Sequence, residues 1–201
     1  MPTKHSQALI VLDPQLVYTN PESELFCKNS DKTIGQINRL IDRFVDDKKP
    51  VVLVRHVHAR DGSDLGRMFD FAGPADEFNF KEGSEEVEFD PRLRRPDDAH
   101  EIVKQRYSAL QGTALAQYLS RKGINHLVIC GFMTNFCCES TARDAHDRDF
   151  FVTFVPDACG SPDLPDMNQE KIRKVVSAFL EGGFAIVQDT DDFLGKSKQK
   201  K

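Results

Sequence analysis

Short apolar runs alternate with amphipathic stretches along the whole chain. The runs at residues 8–12, 51–54, 101–104, 126–131, 150–155 and 184–187 are read as six strands. The first of these, Ala8-Leu9-Ile10-Val11-Leu12, is continuously apolar, as in a strand covered on both faces. Between the first two runs, Ile34, Ile37, Leu40, Ile41, Phe44 and Val45 recur at helical spacing, with Ser30 or Asp31 as a cap. A second helix is predicted over 109–122, with Leu115, Tyr118 and Leu119 inward and Gly123 ending it. A third, rich in small residues, spans 137–147. A fourth spans 168–180, with Ile172, Val175, Val176 and Phe179 on its inner face.

Residues 56–96 show no period and are rich in Asp, Glu, Arg, Gly and Phe. A plain loop of that length is uncommon inside a compact domain. Short helical turns forming a cover over a site are expected there. The basic stretch 196–201 reads as a disordered tail. No internal repeat or linker divides the chain, so residues 1–201 are taken as one domain. Strands alternating with helices imply an α/β fold, a three-layer doubly wound domain with a mainly parallel sheet. In such sheets ligands collect beyond the carboxyl ends of the strands, where the winding reverses.

Composition narrows the function. With 27 Lys plus Arg against 32 Asp plus Glu, the net charge is −5, which argues against a nucleic-acid or membrane-surface partner. No apolar run approaches the roughly 20 residues that span a bilayer. Residues 1–7 are polar and carry no apolar signal segment, so the cytoplasm is the expected address. The five cysteines are odd in number and form no C-x-x-C pair, so reduced thiols are expected rather than disulfides or a zinc site.

Three chemically distinct side chains fall at strand ends. Asp13 directly follows the first run, Lys104 ends the third, and Cys137 opens the helix after the fourth. A helix N-terminus carries about half a positive charge and free N–H groups, and so should lower the pKa of a thiol in its first turn. A nearby Lys adds to that effect. An Asp within reach can take the thiol proton and return it to a leaving amine. Backbone N–H groups at Met133 and Cys137 are candidates for an oxyanion hole. Each residue alone has a plainer reading: a turn-forming Asp, a surface Lys, a packed thiol. Cys138 competes with Cys137, but should point about 100° away around the helix, toward the sheet.

The segment Gly131-Phe132-Met133-Thr134-Asn135-Phe136-Cys137-Cys138-Glu139-Ser140-Thr141-Ala142-Arg143-Asp144-Ala145 resembles the nucleophile motif of isochorismatase-like cysteine hydrolases, G-x-x-T-D-x-C-V-x-x-T-A-x-D-A. Val11-Leu12-Asp13-Pro14-Gln15 resembles that family's D-x-Q motif after the first strand. Lys104-Gln105-Arg106-Tyr107-Ser108-Ala109-Leu110 resembles its lysine motif, and Pro156-Asp157-Ala158-Cys159 its D-A after the fifth strand. The resemblance implies six parallel strands in the order 3-2-1-4-5-6. It implies Asp13 as general base, Lys104 as charge partner and Cys137 rather than Cys138 as nucleophile. It also implies a cis peptide between Phe132 and Met133, and a homo-oligomer, dimer or tetramer. Three departures stand out. Asn135 replaces Asp, Cys138 a small hydrophobe, and Leu110 an aromatic residue.

Nicotinamidases among these hydrolases bind a metal through Asp-x-His and a second His just after strand two. Here the stretch reads Arg55-His56-Val57-His58, with His56 at the acidic position and no further His before His100. The full ligand set is absent, so no metal or other cofactor is expected. Alternation nonetheless puts His56 and His58 on one side of an extended segment. Candidate substrate-binding residues are Gln15, Tyr18, His56, Arg67, Phe69, Phe71, Tyr107, Phe132 and Met133. Arg67 could pair a substrate carboxylate or simply be a solvated charge. The leading expectation is hydrolysis of an amide or carbamoyl C–N bond in a small molecule through a cysteine thioester. The rivals are vinyl-ether hydrolysis and a non-catalytic thiol sensor or binding protein.

Overall fold

In the computed structural model, which describes residues 6–69 and 78–195, the six apolar runs form one parallel sheet. The strands are β1 (Gln7–Leu12), β2 (Val51–His56), β3 (His100–Lys104), β4 (His126–Phe132), β5 (Phe151–Gly160) and β6 (Ile186–Val187), in the order β3-β2-β1-β4-β5-β6. The central strand β1 pairs with β2 on one side and β4 on the other, and residues 8–12 are wholly buried. That burial accounts for its unbroken apolar run.

The helices are α1 (Leu16–Thr19), α2 (Ser30–Asp46), α3 (Leu115–Arg121), α4 (Glu139–Asp147), α5 (Gln169–Glu181) and α6 (Thr190–Phe193). α2 packs beside α6, and α4 beside α5. The winding reverses between β1 and β4, so right-handed crossovers carry these two pairs to opposite faces. Among the described residues no helix is long and apolar enough to cross a membrane.

Several local details differ from the sequence expectation. α2 is capped by Asn29, in the left-handed region at φ 58°, so Ser30 already lies within the helix. α3 begins at Leu115 rather than 109. Gly112 turns the chain at φ 70°, and the Thr113 hydroxyl accepts the Leu115 N–H at 3.2 Å. Gly123, at φ 63°, follows the helix end as expected. β5 does not stop at Val155. Its register with β4 jumps from Ile129–Phe154 to Gly131–Cys159, and the strand then continues to Gly160. Pro156 lies inside the irregularity, where it has no N–H to give a ladder. On α5 the buried stripe is Ile172, Val176 and Leu180, whereas Phe179 is 60% exposed. The expected tail at 196–201 lies outside the described residues.

At the reversal point Leu12 pairs with Gly131. Gly131 has φ 124°, and a Cβ there would lie 2.0 Å from the Leu12 carbonyl oxygen. Only glycine lets these two backbones meet. Immediately beyond them β1 delivers Asp13 and β4 leads to Cys137.

Candidate active site

Asp13 leaves β1 in the left-handed region at φ 49°, which Asp tolerates better than most residues. Its N–H donates to Val54 O at 3.0 Å, and its carbonyl accepts the Gln15 N–H at 2.8 Å. Lys104 is the last residue of β3, paired with His56 at the end of β2. Cys137 lies in a wide π-type turn, Thr134–Cys138, that joins β4 to α4, and the Phe132–Met133 peptide before that turn is cis. Such turns recur at functional sites.

These three strand ends converge. Lys104 Nζ lies 2.8 Å from Asp13 Oδ2 and 3.2 Å from Cys137 Sγ, and it donates to the Arg106 carbonyl at 3.1 Å. All three side chains are buried. An Asp13 oxygen, a His56 ring nitrogen and Cys137 Sγ lie within 4.8 Å of one another. The Asp13 carboxylate is thus faced by the Lys104 ammonium and by the Cys137 thiol. A carboxylate, a cation and a thiol in such contact can pass a proton from sulfur to oxygen with the ammonium steadying either charge.

Burial dominates the titration of this group. It pushes the Cys137 thiol up to about 12, and the Lys104 charge only partly offsets it. The sequence expectation of a lowered thiol pKa is therefore corrected: loss of solvent outweighs helix N-terminus and lysine together. Burial likewise raises Asp13, against the pull of Lys104. Burial alone would lower Lys104, but Asp13 and Cys137 outweigh it, and the ammonium is held above its usual range.

Cys138 is fully buried, and burial and the neighbouring Cys159 push its thiol well above the usual range. Its thiol neighbours Cys159 of β5 and Cys130 of β4.

Next to Cys137 is an apolar cavity of about 160 Å³. Of the sequence-derived candidates, Tyr18, His56, Phe69, Tyr107 and Met133 line it. Among the described residues, Leu25, Met68, Phe80 and Phe136 line it as well. Phe136 adjoins Cys137 in the motif and could have been read from it; the other three come from stretches without periodicity. Three candidates lie elsewhere. Phe132 is fully buried behind the cavity, stacked on Tyr18 at 5.6 Å. Arg67 is exposed on the surface and lies outside the cavity wall. Gln15 is buried with its whole amide engaged: Oε1 accepts the His56 N–H at 2.9 Å, and Nε2 donates to the His56 and Val87 carbonyls at 3.1 and 2.8 Å. It ties the end of β1 to β2 and does not reach the cavity. Phe71 lies outside the described residues.

A match to the isochorismatase domain extends over residues 7–192. The chain belongs to the isochorismatase family. Within this family it is 27% identical over 191 residues to the uncharacterized isochorismatase family protein YddQ of Bacillus subtilis (strain 168), covering 93% of this chain and 98% of that protein. It is 28% identical over 191 residues to nicotinamidase 3 of Arabidopsis thaliana, covering 94% and 88%. A cysteine hydrolase crystal structure from Pseudomonas syringae pv. phaseolicola 1448A superposes with a TM-score of 0.89 at 27% identity, covering 95% and 92%.

Two groups of side chains bear on whether a metal fits this site. His56 Nε2 and His58 Nε2 approach to 2.9 Å, and His58 Nδ1 faces Asp64 Oδ1 at 3.0 Å, so this pair keeps the donor chemistry of two cation ligands but has no acidic third ligand beside it in the motif. At the remaining trio of Asp13, His56 and Cys137, the Lys104 ammonium already sits against the oxygen and the sulfur that would be ligands.

Proposed function

We propose that the chain is a cysteine amidohydrolase that cleaves a C–N bond of a small molecule. The observation that carries this reading is the placement of Lys104 Nζ at 2.8 Å from Asp13 and 3.2 Å from Cys137, beside a cavity of about 160 Å³. A nicotinamidase and a cysteine hydrolase among the similar proteins support it.

The thiol is protonated at rest. When substrate enters, Asp13 takes its proton as the sulfur attacks the carbonyl carbon, and Lys104 holds the resulting charge. Backbone N–H groups at Met133 and Cys137 receive the developing oxyanion. The C–N bond breaks as Asp13 returns the proton to nitrogen, and amine or ammonia leaves. Water, activated by Asp13, then adds to the thioester and releases the acid and the thiol. The cavity limits the substrate's size: an apolar cavity of about 150 Å³ holds one benzene ring.

The test is ammonia release over a panel of small amides, with intact-protein mass spectrometry for an acyl adduct on Cys137. Cys137→Ala should lose at least about 10³-fold, in line with removal of a nucleophile. Retained turnover in that variant would overturn the thioester route and favour ether hydrolysis.

A further inference from the structure

Residues 105–114, between β3 and α3, form neither strand nor helix, yet Ala109 and Leu110 among them are buried. Buried N–H groups outside a ladder or helix need partners from side chains. Ala109 N–H donates to Thr141 Oγ1 at 3.0 Å, and Leu110 N–H to Ser108 Oγ at 3.1 Å. Ser108 Oγ in turn donates to Asp144 Oδ2 at 2.5 Å, and Arg148 Nε donates to Asp144 Oδ1 at 2.6 Å. Thr141 and Asp144 stand three residues apart on α4, so one face of that helix grips the segment at two adjoining points. Ser108 belongs to the lysine motif and Thr141 and Asp144 to the nucleophile motif, so these bonds join the two.

The segment also reaches the site. Its Arg106 carbonyl accepts from Lys104 Nζ at 3.1 Å. Its Tyr107 ring lines the cavity, 5.2 Å from the Phe136 ring centre to centre. Lys104 ends β3, the outermost strand, which the sheet pairs on one side only. Cys137 follows β4, three strand spacings away, about 14 Å at the usual separation. The sheet therefore fixes the lysine from one side and at a distance. A strap from α4, which starts two residues after Cys137, refers its position to the nucleophile's own helix.

We propose that Ser108, Thr141 and Asp144 are positioning residues that hold the Lys104 ammonium against Cys137 by tying the segment after β3 to α4. They act through Lys104 and do not line the cavity. The consequence for turnover rests on the amidohydrolase reading; the consequence for the thiol does not.

The probe is iodoacetamide at about pH 8.5, with alkylation of Cys137 followed by peptide mass spectrometry in protein shown folded by circular dichroism. Lys104 draws the thiol down against burial, so an ammonium that has drifted leaves less thiolate. Thr141→Val keeps the side chain's shape and loses the acceptor; Thr141→Ser keeps the acceptor. Thr141→Val should slow alkylation at least about threefold, and Thr141→Ser should stay within about twofold of the unaltered protein. Asp144→Ala and Asp144→Asn should divide in the same way. Thr113→Val is the control, since the Thr113 hydroxyl bonds the Ala109 carbonyl and the Leu115 N–H rather than α4. It should lower stability and leave the rate unchanged. With Lys104→Met added, the slowing by Thr141→Val should vanish, because no ammonium remains to misplace; the Thr141 and Asp144 pairs decide the matter if that double variant does not fold. Equal slowing by Thr141→Val and Thr113→Val, no slowing by Thr141→Val, or slowing that persists without the ammonium overturns the inference. A thiol that responds as stated in a protein releasing no ammonia from any amide would sink the hydrolase reading alone. Hydrolysis with a thiol indifferent to Thr141→Val would sink this one alone.

Discussion

Lys104 Nζ sits 2.8 Å from Asp13 Oδ2 with both side chains shut off from solvent. Removing one member of a buried pair leaves a charge with no partner, at a cost of about 3–5 kcal/mol. Lys104→Met should lose that much stability in urea unfolding. Adding Asp13→Asn should restore part of it. If the double variant were as unstable as the summed single changes, the pair would not be the origin of the loss.

The thiol of Cys137, pushed up to about 12, sets the pH dependence of its alkylation. Its thiolate fraction should climb about tenfold per pH unit, without a plateau, from pH 7 to 10. Iodoacetamide kinetics followed by mass spectrometry would show this. A plateau near pH 7 would mean that Lys104 overcomes burial.

His56 and His58 are depressed by burial, so the unfolded chain binds more protons than the folded one just below the ordinary histidine pKa. Their contribution to stability is present above about pH 6.5 and is lost as pH falls below it, by up to about 1.4 kcal/mol per unit for each fully buried ring. Urea midpoints taken from pH 7.5 to 5 should fall, and a His56→Asn variant should fall less steeply. Identical slopes would contradict the assignment.

Gly131→Ala should be among the costliest small substitutions in the chain. The new Cβ would meet the Leu12 carbonyl at 2.0 Å while the backbone stays at φ 124°. Overpacking and strain together amount to about 2–6 kcal/mol. Thermal unfolding beside a Gly35→Ala control, which meets nothing within 4 Å, would separate this from a general loss of glycine.

Most strands could be read because they are short apolar runs, and Asp13, Lys104 and Cys137 because each lies at or just beyond a strand end in a recognisable motif. Helix limits were harder where one residue overrode the pattern, as at Gly112 before α3. Phe179 matched the period of α5, yet Leu180 took the inward place. The cavity wall drew Leu25, Met68 and Phe80 from stretches whose spacing carries no signal, since only the folded chain puts them beside Cys137. The thiol's raised pKa was equally invisible, because burial belongs to the assembled layers rather than to the local turn.

Strand order carries one more consequence. Asp13 and Lys104 come from β1 and β3, which are not neighbours, so β2 must insert between them before the ammonium can reach the carboxylate. Cys137 arrives from the opposite wing, after β4 has docked on β1. Under the proposed mechanism, turnover is therefore a stringent reporter of completed topology. A nascent or partly unravelled copy that lacks either wing keeps its sulfur but not the Asp13–Lys104–Cys137 contact on which the proposed chemistry depends.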